Sequence, residues 1–68
     1  KGWTLIETGL RSPVVRNRNM ALHALAAWPR ESWPTGAESV MRRVVTEEPN
    51  EKTAELARRV LAGEPVTP

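Results

Sequence analysis

The sequence predicts an all-α fold in which four helices form two stacked antiparallel helical hairpins. Apolar side chains recur at helical spacing in four stretches, and residue types that start and stop helices separate those stretches. The second half of the chain also repeats the pattern of the first half. We therefore predict one helical-repeat domain over residues 1–63, with repeats at 2–28 and 36–62, followed by an extended tail at 64–68.

The first helix is predicted over residues 2–10. Its apolar face combines Leu5, Ile6, Gly9 and Leu10. The helix should stop before Ser12 and Pro13, because serine followed by proline is typical of a helix N-cap and first turn.

The second helix is predicted from Pro13 to Trp28, which is the longest stretch without a helix breaker. Its apolar stripe consists of Val14, Ala21, Leu25 and Trp28, widened by Val15 and Leu22. Pro29 ends the helix, because proline lacks the amide donor that a helix interior needs. Residues 30–36 then form the longest connection.

The third helix is predicted to start at a capping box formed by Thr35 and Glu38. Its apolar set is Val40, Met41, Val44 and Val45. Asn50 is predicted to cap a fourth helix that ends at Ala62, with Gly63 as its C-terminal stop. The buried stripe of this helix consists of Ala54, Ala57, Val60 and Leu61.

An internal repeat relates the two predicted hairpins. A shift of 36 residues superposes the longer helices, pairing Pro13 with Pro49, Ala21 with Ala57 and Leu25 with Leu61. A shift of 35 residues superposes the shorter ones, so the difference falls in the turn between them. Chance matching of small and aliphatic residues is the alternative, but two hairpins repeated at this period are the layout of an α-solenoid.

The second helix resembles the second helix of a HEAT repeat. The residues that carry the resemblance to the R-x-x-A-x-x-A-L pattern are Arg18, Ala21, Ala24 and Leu25, followed by Trp28. Asn17 stands where the family often has valine, and Ala54 stands where the second copy would have arginine. The resemblance implies a right-handed stack whose concave wall, formed by the second helices of the repeats, is the preferred place for a partner.

The expected core is the set of aliphatic residues on the predicted stripes. Its members are Leu5, Ile6, Leu10, Ala21, Leu22, Leu25, Met41, Val44, Val45, Ala57, Val60 and Leu61. A chain of this length buries only about 60% of the surface that its unfolded form exposes. Since fewer than three repeats seldom suffice, we expect association of copies through the uncovered end of the stack.

Composition limits the classes of function. The chain has no cysteine, no aspartate and a single histidine, so neither a disulfide nor a metal cluster is predicted. Basic residues exceed acidic ones by only two, which is a weak signal for nucleic acid. Neither a signal peptide nor an apolar run of about 20 residues occurs, so we predict a cytoplasmic protein without a membrane partner. A start at Lys1, with helical pattern almost at once, suggests a fragment of a longer protein.

No catalytic, cofactor-binding or metal-binding residue is predicted, and we do not expect an enzyme. The candidate partner-binding residues are Arg16, Arg18, His23, Lys52, Arg58, Arg59 and Trp33. Alternatively, the charged residues form a solvent-exposed helix face on which arginines pair with Glu55 one turn away on the same helix. The alternative for the tryptophan is packing, because the chain lacks Phe and Tyr.

The leading functional prediction is a non-catalytic protein-interaction or scaffold module of the HEAT-like repeat type. One alternative is a nucleic-acid-binding helical-repeat segment that uses the arginines of the second and fourth helices. Another is an accessory scaffold repeat of a larger enzyme.

Overall fold

The computed structural model describes residues 2–66 and confirms the all-α class. Its four helices are α1 (Gly2–Leu10), α2 (Val15–Ala26), α3 (Ala37–Glu47) and α4 (Glu51–Ala62). A short 3-10 turn, Arg30–Ser32, lies in the long connection, and residues 2–66 contain no strand. Residue 1 of the predicted domain and residues 67–68 of the predicted tail lie outside the described residues.

The helices pair as two hairpins, with α1 packed on α2 and α3 packed on α4. In the first hairpin Gly2 lies beside the ring of Trp28, and Gly9 lies against Ala21, so α1 and α2 are antiparallel. A Cβ atom at Gly9 would lie 2.9 Å from that of Ala21, which explains why glycine is needed at this close approach.

The two hairpins meet where α2 packs on α4. Near the beginning of both helices, Thr53 donates a hydrogen bond to Asn19. Just beyond the end of α2, Arg30 donates a hydrogen bond to the carbonyl of Leu61 near the end of α4. Contacts between like ends show that α2 and α4 run parallel, so the predicted pair of stacked hairpins is confirmed.

The core lies between the hairpins and contains most of the predicted residues. Its buried members are Ile6, Leu10, Ala21, Leu22, Leu25, Met41, Ala57 and Val60, and all three tryptophans pack half-buried against it. The prediction for Leu5 is wrong, because that side chain is 77% exposed. Successive helical residues point about 100° apart, so the orientation that turns Ile6 inward turns Leu5 outward.

The two predicted N-caps in the first three helices are both wrong. Val14 occupies the N-cap position of α2 and makes no side-chain capping bond. The hydroxyl of Ser12 instead accepts hydrogen bonds from the Val14 amide and the Asn17 side chain. The N-cap of α3 is Gly36 with φ +92°, a left-handed conformation that favours glycine. Glu38 pairs with arginine side chains rather than closing a capping box with Thr35.

The boundaries of α4 agree with the prediction. The side chain of Asn50 accepts a hydrogen bond from the Thr53 amide at 3.0 Å, as an N-cap should. Gly63 has φ +77°, and its amide and that of Glu64 donate to the carbonyls of Val60 and Arg59. This pattern closes the helix and turns the chain back.

The tail does not continue as a helix after this turn. Pro65 is exposed, but Val66 is half-buried and packs against the core. Residues 64–66 are therefore held by the fold rather than frayed. Within residues 2–66, no helix has the length and apolar character required to pass through a membrane.

Candidate functional site

A buried ion pair joins the two hairpins and involves one of the predicted partner-binding residues. Arg18 on α2 binds Glu48, which follows α3, through Nε–Oε1 at 2.7 Å and Nη2–Oε2 at 2.9 Å. The third guanidinium nitrogen donates to the carbonyl of Ser12 at 2.8 Å. The side chains of Arg18 and Glu48 are only 14% and 1% exposed. Arg18 is thus engaged within the chain.

Hydrogen bonding keeps both members of this pair charged. The bonds from Arg18 lower the pKa of the Glu48 carboxyl, although burial acts in the opposite direction. The amide of Asn50, which donates to Glu48 at 3.1 Å, lowers this pKa further. The same pairing raises the pKa of Arg18. The bidentate geometry is the strongest form of a guanidinium–carboxylate contact.

A second polar contact lies beside this ion pair. The hydroxyl of Thr53, which is buried, donates to Asn19 Oδ1 at 2.8 Å. Together with the ion pair, it fixes the first half of α2 against the start of α4. The sequence analysis predicted neither Glu48 as the partner of Arg18 nor Asn19 as the partner of Thr53. Thr53 lies one helical turn before Ala57 on the same buried stripe, where a polar side chain needs a hydrogen-bond partner.

Two further candidates, Arg58 and Arg59, both pair with Glu55 on their own helix. Their hydrogen bonds, with Arg58 contributing most, lower the pKa of the Glu55 carboxyl. All three side chains are half exposed, so these contacts match the solvated-face alternative for Arg58 and Arg59.

Trp33 lies in the long connection, directly after the 3-10 turn. The guanidinium of Arg30 stacks over its ring at 4.3 Å from the centroid. The indole Nε1–H is buried and has no acceptor among residues 2–66. The ring is half-buried against the core, as the packing alternative for this residue expects.

Four of the candidates form a surface that we call the second-helix wall: Arg16 and His23 on α2, with Lys52 and Arg59 on α4. Within each helix the two residues are seven positions apart, which is nearly two turns or about 10 Å along one face. Across the helices, Arg16 corresponds to Lys52 and His23 to Arg59 at the same spacing of 36 residues. Because α2 and α4 run parallel, the four side chains mark the corners of one patch.

The middle of the second-helix wall is aliphatic. Leu56 and the tail residues Pro65 and Val66 line one groove together with Lys52 and Arg59. The same tail residues line an adjacent groove with His23. The tail therefore lies along the wall, between the His23 side and the Lys52 side.

Two cations of the wall make no ion pair within residues 2–66, namely Arg16 and Lys52. Each is the second residue of its helix, where the positive end of the helix dipole disfavours a cation. Their positions therefore cost stability rather than supply it. They are suited to an anionic group brought by a partner.

A third groove of about 360 Å³, which none of the wall residues lines, lies between the end of α1 and α3. Leu10, Val40 and Val44 line it, with Arg11 and Arg43 also at its edge. Arg11 pairs with Glu7 on its own helix. Among residues 2–66, no group of three or more histidine, cysteine, aspartate or glutamate side chains is placed to hold a metal ion.

Comparison with known proteins adds no relative: no protein-family model, curated protein or solved structure matches this chain.

Proposed function

We propose that the chain is a non-catalytic protein-interaction or scaffold module of the HEAT-like repeat type, with the second-helix wall as its partner-binding surface. Parallel second helices and the 36-residue spacing of the wall residues support the repeat type. A cytoplasmic location stays a prediction from the sequence.

The observation that carries this proposal is the placement of Arg16 and Lys52. Both are exposed, have no ion-pair partner within residues 2–66, and stand at helix starts that disfavour them. Residues that break a local structural rule without a compensating contact concentrate at functional positions. A partner that supplies carboxylates would provide the missing contact.

The charges and apolar residues of the wall indicate which kind of partner would fit it. Arg16, Lys52 and Arg59 stand at three corners of the wall, and Leu56 with Val66 forms its half-buried aliphatic middle. An acidic protein segment carrying an aliphatic side chain would match both features, because charge complementarity guides association and apolar contact holds the complex.

A titration of the ¹⁵N-labelled chain with a short glutamate-rich peptide carrying one central leucine tests the proposal. We expect amide shifts to change along the wall at low salt. The double variant Arg16→Gln with Lys52→Gln should bind about fivefold to tenfold more weakly, the loss expected for two exposed charge contacts.

The matched control is Arg11→Gln with Arg43→Gln, which removes two charges at the groove between α1 and α3 and should leave peptide binding nearly unchanged. Equal weakening by both double variants, or shifts confined to other surfaces, would contradict a specific wall. A parallel titration with duplex DNA separates the alternative: tighter, steeply salt-dependent binding of DNA through Arg16 and Lys52 would favour nucleic-acid recognition instead.

A further inference from the structure

Side chains on the second-helix wall and beside it form two rows that run across α2 and α4. Arg16 and Lys52 are the second residues of the two helices, and we call them the cationic row. Met20 and Leu56 follow one turn later, again 36 residues apart, and we call them the aliphatic row. Met20 is 62% exposed. A cation followed by an aliphatic side chain is therefore repeated on both helices at the same place.

The geometry of the helix pair sets the distance between the two members of a row. Near the starts of α2 and α4, Thr53 donates a hydrogen bond to Asn19, so the first turns of these parallel helices are nearly level. Packed helices have axes roughly 8–10 Å apart. A chain that runs across both helices therefore meets equivalent side chains at steps of about 9 Å.

A chain in the polyproline II conformation matches this step. It rises about 3.1 Å per residue with three residues per turn, so residues three positions apart lie about 9 Å apart and point to the same side. A β-strand brings side chains to one side at steps of about 6.6 Å instead, because its side chains alternate. The spacing of the rows thus favours polyproline II over a strand.

The tail shows that the wall accommodates a segment that is not helical. Glu64, Pro65 and Val66 are outside any helix, and the last two line the grooves beside His23 and beside Leu56. Proline fixes φ near the polyproline II value and keeps the preceding residue extended. A partner helix of about 10 Å diameter laid along α2 and α4 would have to displace this tail. An extended chain that crosses their first turns would not.

The cationic row has the charge to bind carboxylates. Arg16 and Lys52 are exposed, and neither makes an ion pair in the part of the chain that the structure describes. The acidic neighbours on α4 do not neutralise Lys52 by direct contact: Glu55 pairs with two arginines of its own helix, and Glu51 forms no ion pair among residues 2–66.

We propose that the partner segment binds in the polyproline II conformation across the first turns of α2 and α4, with carboxylates three residues apart on Arg16 and Lys52. One of the two intervening residues leans toward the aliphatic row, where an apolar side chain such as proline contacts Met20 and Leu56. This inference rests on the proposed function, because it specifies the conformation and the spacing of the partner for the same wall.

Three proline-rich peptides of equal length and equal charge test the spacing. Each carries two glutamates, which are separated by one, two or three prolines, and each is titrated into the ¹⁵N-labelled chain at low salt. We expect the peptide with two intervening prolines to bind about threefold to fivefold more tightly than the others, the gain from one further exposed charge contact.

The variant Lys52→Gln should lose this preference and bind the three peptides alike, because only one carboxylate of each peptide then finds a cation. Arg43→Gln removes an exposed charge from α3 and serves as the matched control. It should keep the preference for two intervening prolines. Since each variant is compared across three peptides, a general loss of charge or stability does not imitate the predicted result.

Equal affinities of the three peptides for the unaltered chain, or a preference that survives Lys52→Gln, would overturn the inference while shifts along the wall still support the proposed function. Tighter binding of an alanine-rich helical peptide with glutamates seven residues apart would overturn the extended conformation. If neither these peptides nor the glutamate-rich peptide with a central leucine shifts the wall, the proposed function fails together with this inference.

Discussion

Glu48 has an almost fully buried carboxylate that depends on one neighbour. Its oxygens accept hydrogen bonds from two nitrogens of Arg18 and from the Asn50 amide. A buried charge that loses its partner is far more costly than an exposed one, because water cannot replace the lost contact.

We expect Arg18→Ala to destabilise the fold by about 3–5 kcal/mol, a large share of the stability of so small a domain. Urea unfolding measures this change. Arg11→Ala, which breaks the exposed pair with Glu7, should cost less than about 1 kcal/mol. The double variant Arg18→Met with Glu48→Leu should recover most of the lost free energy of unfolding, because it leaves no buried charge without a partner. A double variant as unstable as Arg18→Ala would contradict this explanation.

The lowered pKa of Glu48 also makes stability depend on pH. The folded state holds the proton less tightly than the unfolded chain, in which glutamate titrates near pH 4.3. This contribution is therefore fully present above the unfolded pKa and is lost as pH falls below it toward the folded value. We expect the melting temperature to fall between about pH 5 and pH 3.

The Arg18→Met, Glu48→Leu double variant isolates this effect, because it removes the titrating pair without leaving one charge behind. Its melting temperature should depend less on pH over the same range. Measuring in 1 M salt screens the exposed Glu55 pairs, at a Debye length of about 3 Å. Identical pH profiles of the two proteins would contradict the role assigned to Glu48.

At the scale of helices, the apolar spacing predicts where the four helices lie in the sequence. It does not predict the first residue of every helix. Ser12 and Thr35 are both N-cap residue types near prolines, yet neither caps a helix. The chain at Gly36 takes a left-handed conformation that starts α3 one residue later than Thr35 would allow. Glycine takes this conformation without a steric penalty, so Gly36 competes with the Thr35 cap motif for the start of α3.

Substitution of Asn50 and of Thr35 tests these cap assignments directly. Asn50→Ala should destabilise the fold by about 1 kcal/mol, because the Thr53 amide loses its side-chain acceptor. Thr35→Ala should change stability by less than about 0.5 kcal/mol, since Thr35 is exposed and caps nothing. Chemical denaturation of both variants decides the matter, and a reversed order would contradict the observed helix starts.

The candidate site was likewise only partly predictable. The resemblance to HEAT repeats predicted Arg16, His23, Lys52 and Arg59 as candidates on the second helices, and helical periodicity places each pair on one face of its helix. It could not show that Arg18 is committed to Glu48, which lies 30 positions away in sequence. Leu5 was misassigned for a related reason: on a short helix, neighbouring aliphatic residues compete for the inward direction, and the glycine contacts with α2 decide it.

At the scale of the whole molecule, the two hairpins act as one unit because α2 and α4 share both the aliphatic core and the polar contacts at their starts. This arrangement gives the surfaces distinct characters. The second-helix wall carries Arg16, Lys52 and Arg59 around an aliphatic middle, and the exposed sides of α3 and α4 carry the ion pairs Glu38–Arg42 and Glu55–Arg58. The proposed partner contact follows from this separation.

Removal of the tail should reveal how far it covers the wall. We expect a chain truncated after Gly63 to lose some stability, because Val66 no longer packs against the core. The loss of Val66, which forms part of the aliphatic middle of the wall, should also weaken binding of the glutamate-rich peptide. Thermal melting and the peptide titration provide the two readouts, and tighter peptide binding after truncation would show that the tail covers the partner surface instead of forming part of it.

The parallel packing of α2 on α4 is the feature on which the wall, the repeat and the proposed partner contact depend. Nuclear Overhauser contacts between the side chains of Asn19 and Thr53 measure it most directly, since their oxygen atoms lie 2.8 Å apart. We expect these contacts in the dilute monomer, together with contacts between Gly9 and Ala21 within the first hairpin. If the Gly9–Ala21 contacts appear while those between Asn19 and Thr53 are absent, the hairpins do not stack as described.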